Sequence, residues 1–249
     1  MFKYSTVVSV MALAAVSAPY VCQAQDPAGK FKVIGQKAAA GKVDEALKLC
    51  DDMLAYFGKK SRAAQQYSFY EPFFVWKKGE ILRGAKRYDE AYKVYKQLSE
   101  NEAYQDDAKR KRAKERGLNN KEGYDPYLTA SIYFMGMCKY QQGVGDAKSK
   151  LEPNPAAFEE AIPALESYLA IYEKGKISKL EKALKLDGQI CFMLMQSYIL
   201  KPQADFKTAS KYLEKGKTCK GALPDDIFMN LGMKFGILFQ VKVLLLLMV

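Results

Sequence analysis

A chain of 249 residues that is 49% hydrophobic and 12% aromatic can bury a sizeable core, which excludes a disordered tail. Its 39 basic and 28 acidic side chains give a net charge of +11 at pH 7, a field that draws in acidic partners. Histidine is absent, which removes the most adaptable acid–base group and the commonest zinc ligand. The expectation is a protein with no catalytic residue, metal or cofactor.

Residues 1–24 read as a secretory signal peptide. Lys3 gives a positive start, residues 7–16 are apolar, and Cys22-Gln23-Ala24 offers small residues before a cut ahead of Gln25. The apolar stretch falls short of the roughly 20 residues that span a bilayer, and bulky Val21 stands where a lipidated cysteine needs a small neighbour. Cleavage removes one lysine and no acid, so the charge becomes +10. The expected location is the periplasm or outer envelope of a Gram-negative-type bacterium. There Cys50, Cys138, Cys191 and Cys219 would meet an oxidising compartment. No Cys-x-x-Cys spacing is present. Cys50, Cys138 and Cys191 lie in apolar helical patterns and read as small core residues, with a Cys191–Cys219 bridge as the alternative for that pair.

Four segments recur along the chain: Val43-Asp44-Glu45-Ala46, Tyr88-Asp89-Glu90-Ala91, Phe158-Glu159-Glu160-Ala161 and Phe206-Lys207-Thr208-Ala209. Each puts an apolar residue three places before alanine, and Cys50, Tyr95, Leu165 and Leu213 follow four places after it. Those steps share one helical face, so each segment marks the second helix of a pair. First helices are expected over residues 30–40, joined at Gly41 to a helix over 43–57; around Gly79; over 126–142, capped by Asp125-Pro126; and over 191–200. Between 141 and 155, Gly143-Val144-Gly145 and Pro153-Asn154-Pro155 should interrupt helix.

Gly79-x-x-Leu82 followed by Tyr88-Asp89-Glu90-Ala91-x-x-x-Tyr95 resembles the centre of a tetratricopeptide repeat. The resemblance implies an all-α fold: a right-handed superhelix of antiparallel helix pairs, an α-α solenoid, in which Gly79 packs against Ala91. About four pairs and a partial fifth would fill residues 25–240. The alanine markers stand 45, 70 and 48 residues apart, against about 34 in that family, so longer helices or insertions are expected. The family's first helices line an inner curve that binds segments of partner proteins, and those positions fall on Phe73, Trp76, Lys77, Glu80, Arg83, Tyr133, Tyr140 and Gln141.

Lys109, Arg110, Lys111, Arg112, Lys114 and Arg116 form a basic patch able to grip an anionic surface. Runs of this kind commonly make a solvated helix face or loop, and few aromatics accompany this one for stacking on bases, so no specific nucleic-acid partner is expected. Residues 241–249 are an apolar tail, too short to span a membrane. Packing on the preceding helices, docking on a partner, and truncation of a longer chain are the readings for that tail. Together these features predict a non-enzymatic scaffold of the cell envelope holding another envelope protein or peptide segment, with a glycan- or polyanion-binding protein as the alternative.

Overall fold

The computed structural model describes residues 26–59, 61–101, 129–146, 150–175, 177 and 185–219. The signal segment, the basic patch and the apolar tail lie outside the described residues. All the regular elements described are helical: α1 (Pro27–Ala39), α2 (Val43–Phe57), α3 (Arg62–Tyr67), a 3-10 turn (Ser68–Tyr70), α4 (Glu71–Gly84), α5 (Tyr88–Glu100), α6 (Thr129–Val144), α7 (Ala157–Glu173), α8 (Asp187–Leu200) and α9 (Phe206–Thr218). Among the described residues, no helix is long and apolar enough to cross a membrane.

Local chemistry sets the boundaries. Asp26 caps α1 by accepting from the amides of Ala28 and Gly29, with Pro27 in the first turn. At the far end Gly41 takes a left-handed φ of 76°, while the Gly41 and Lys42 amides donate to the Ala38 and Lys37 carbonyls. The α4–α5 junction repeats this device one unit later. Lys86 has φ 61°, and the Lys86 and Arg87 amides donate to the Arg83 and Leu82 carbonyls. Both are Schellman-type stops that satisfy the last free carbonyls of a helix and turn the chain back. α1–α2 and α4–α5 are thus equivalent units joined by the same turn.

Packing follows chain order: α1 on α2, α2 on α4, α4 on α5, α5 on α6, α6 on α7, α7 on α8, and α8 on α9. The marker alanines Ala46, Ala91, Ala161 and Ala209 are fully buried, as are Cys50, Tyr95 and Leu165 four places on. Leu213 packs, partly buried, beside Met195, Ile199 and Ala209. Phe134 joins the two larger apolar clusters, one centred on α2, α4 and α5 and the other on α6, α7 and α8.

Glycines mark the closest approaches between helices. A side chain on Gly79 would have met the Tyr95 ring at 2.8 Å, so the nearest neighbour of this glycine is the residue four places after the marker, and not Ala91. Gly136 repeats the arrangement against Leu165, where a Cβ would fall 2.6 Å from Cγ. Gly143 receives the Phe158 ring. The pairs 136–165 and 143–158 lie two turns apart on both helices, which sets α6 and α7 antiparallel at close approach. Replacing Gly136 by valine is therefore expected to destabilise the fold by about 2–3 kcal/mol, because the Leu165 backbone nitrogen, 3.2 Å from the new Cβ, leaves no room for the leucine to swing aside. Urea unfolding of Gly136→Val beside Gly84→Ala, whose added methyl meets nothing within 4 Å, measures the difference.

The interrupted region is shorter than expected. α6 runs through Gly143 to Val144 and breaks at Gly145, whose φ is 71°. Beyond it, Asp146 and Leu151 exchange amide–carbonyl bonds of 2.8 and 3.0 Å as an isolated antiparallel bridge. The Asn154 amide then returns to the Gln142 carbonyl. The 3-10 turn and α3 lengthen the first marker interval.

Candidate functional site

α4 and α6 carry all the residues that the sequence places on an inner curve. The structure buries four of them in the core: Phe73, Trp76, Tyr133 and Tyr140, with exposures of 7, 6, 4 and 8%. Trp76 meets Tyr95 edge-on at 5.3 Å and Phe134 at 5.4 Å, and Tyr95 stacks on Phe134 at 5.4 Å. Tyr133 packs on Tyr168. Tyr140 packs on Phe158 and donates to the Gln196 side chain. These aromatics are fillers between helices, and the expectation that they present faces to a partner is corrected accordingly.

The polar candidates behave differently. Lys77, Glu80, Arg83 and Gln141 are all half-buried. Lys77 bonds to Glu80 at 2.9 Å across one turn, and its ammonium also lies 5.5 Å from the Phe31 ring. Arg83 sits one turn further on, its guanidinium 4.6 Å from the centre of the Phe134 ring, an attraction worth about 1 kcal/mol.

Arg83 makes no ion pair with a carboxylate among the described residues. Its Nε is buried and, among the described residues, makes no hydrogen bond of good geometry; the buried Tyr95 hydroxyl lies beside the same side chain. Burial raises the Tyr95 phenol above its ordinary pKa, opposed by the Arg83 charge. The same charge opposes burial at Tyr133 and Cys138, which are still pushed up to about 12. A half-buried cation on an aromatic platform, with donors in excess of acceptors, is suited to a carboxylate or a row of backbone carbonyls.

Sequence reasoning did not pick out the platform. Phe134 shares a helical stripe with Ala130 and Cys138, which was the available sign. The partly buried Phe134 ring bridges α4 and α6 to support Arg83.

Two other polar groups close on themselves. Lys139, 8% exposed, places its ammonium 3.1 Å from both Asp89 and Glu160 and 4.6 Å from the Tyr92 ring. Burial pulls its pKa down, yet hydrogen bonds to Glu160 and Asp89 carry it above the ordinary value. This clasp ties α5, α6 and α7 together. A groove of about 290 Å³ lies among α2, α4 and α5. Five of its six charged side chains are paired within the chain, Lys78 with Asp51 at 2.6 Å and Arg87 with Asp44 and Glu90 at 3.2 and 2.7 Å, and Lys48 is the sixth.

No cluster of three or more metal-binding side chains occurs among the described residues. Neither protein-family models, nor curated proteins, nor solved structures give a match to this chain.

Proposed function

We propose that this chain is a non-enzymatic scaffold of the bacterial cell envelope. Its helix pairs would stack as a tetratricopeptide-like right-handed superhelix, and a partner's extended segment would lie across the inner faces of α4 and α6. Support for the stacking comes from the repeated Schellman turns at Gly41 and Lys86 and from the recurring glycine contacts at Gly79 and Gly136. A pre-formed helical surface binds with little ordering cost. The observation that carries the binding reading is Arg83, a cation backed by Phe134 and lacking a carboxylate among the described residues. Lys77, Glu80 and Gln141 would flank it as polar contacts, with the buried aromatics fixing the helices that present them.

Photo-cross-linking residues at 77, 80 and 141 are expected to capture one partner in cells. The same residues at exposed Lys48 and Lys93, on second helices, are expected not to. Arg83→Gln should lower capture at least tenfold with a melting point within about 3 °C of the parent, and Arg83→Lys should restore part of it. Equal capture from both faces, or unchanged capture in Arg83→Gln, overturns the reading.

A further inference from the structure

Two of the cysteines stand together. Cys191 is fully buried on α8, while Cys219 caps the C-terminus of α9 and is half-buried. Their Sγ atoms lie 3.8 Å apart as thiols. Cys50 and Cys138, by contrast, are each sealed in the first apolar cluster. A disulfide needs its sulfurs at about 2.05 Å, so the pair must close by less than about 2 Å. Cys219 can supply that movement because its backbone has left the helix, with φ −70° and ψ 146°. The Cys191 end is held by α8, which packs on both α7 and α9.

We propose that Cys191 and Cys219 are an oxidisable pair whose disulfide fastens the end of α9 to α8. The oxidant is a disulfide of the thiol-exchange class, either glutathione disulfide or an oxidised dithiol protein. The more accessible Cys219 thiol loses its proton to water, and the thiolate attacks one sulfur of the oxidant. That S–S bond breaks, a mixed disulfide forms, and one thiolate departs. Cys191, deprotonated in turn, attacks the Cys219 Sγ and expels the second thiolate. The chain has lost two protons and two electrons, and the oxidant has become two thiols. The nearby Lys215 charge favours the Cys219 thiolate, against a rise caused first by burial. The 27 residues between the cysteines form a loop long enough for a large stabilisation, since the loss of denatured-state freedom grows with loop length. This proposal does not rest on the binding reading.

The full chain, equilibrated with oxidised glutathione and then denatured and alkylated, is the test. A 191–219 cross-linked peptide should appear, two hydrogens lighter than the reduced pair, while Cys50 and Cys138 take up the label. Reductant should lower the melting point of the parent by about 10 °C. Cys219→Ser should melt with the reduced parent and ignore reductant, and Cys191→Ser, which buries a hydroxyl in the core, should melt lower still and also ignore reductant. Because Cys219 is half-exposed, its serine variant tests the pair without opening the core. Labelling of both Cys191 and Cys219 after oxidation, pairing of either with a different cysteine, or a melting point indifferent to reductant in the parent overturns the proposal.

Discussion

Raising the pH of the reduced protein from 9 to 12 is expected to unfold it cooperatively, with helix loss and tyrosinate absorbance appearing together. Cys50, Cys138 and Cys191 are pushed up to about 12 by burial, as are Tyr133 and Tyr140. In the unfolded chain these groups ionise near about 8.5 for cysteine and about 10 for tyrosine. The folded state therefore holds protons that the unfolded state has released. Their stabilisation is complete below the unfolded values and is lost as pH climbs towards the folded ones. Each group costs about 1.4 kcal/mol per pH unit in that window. By pH 11 the five together oppose folding by on the order of 10 kcal/mol, comparable to the whole stability of a domain. A circular-dichroism titration read beside tyrosinate absorbance decides the matter. Ionisation of all the tyrosines near pH 10 with helix intact would mean that Tyr133 and Tyr140 are open to water.

The second large effect is at Trp76, the chain's single tryptophan. Trp76→Ala is expected to cost about 3–5 kcal/mol, because a 6% exposed indole wedged between Tyr95 and Phe134 leaves a cavity that three helices would have to collapse to fill. Trp76→Phe keeps most of that volume and should cost under about 1.5 kcal/mol. Urea unfolding followed by circular dichroism measures both. The native fluorescence offers an independent reading, with emission blue-shifted and poorly quenched by acrylamide. An indole lining an open groove would be quenched readily, and its removal would leave stability within about 0.5 kcal/mol.

The helical architecture was legible because its signal is a spacing. Ala46, Ala91, Ala161 and Ala209, each paired with a large residue four places on, predict second helices, and all four stand on helices with the alanine sealed. The turn at Gly41 could be read because glycine takes a left-handed φ without strain. Its counterpart at Lys86 was hidden, since lysine advertises no such conformation. The position of Trp76 was illegible for a different reason. Residues 72–76 are apolar and buried without a break, so helical period cannot choose a face there, and a single-residue rotation separates groove from core. For Arg83 the type of residue pointed to binding, but its setting on Phe134 depends on a contact between helices some 50 residues apart in the chain, which no local pattern encodes. Gly79 was correctly read as a point of close approach, and the Tyr95 ring, one helical turn past the marker alanine, lies nearest to it.

The order in which the helices lean on one another has a consequence for how this chain can change. Each is held chiefly by its predecessor and successor, so excising an inner pair breaks two junctions and needs one new one, while adding a pair opens one and needs two. A globule with a shared centre has no such freedom, because every element there touches most of the others. In a body packed this way, a change of length at one junction leaves the distant helices with the neighbours they already have.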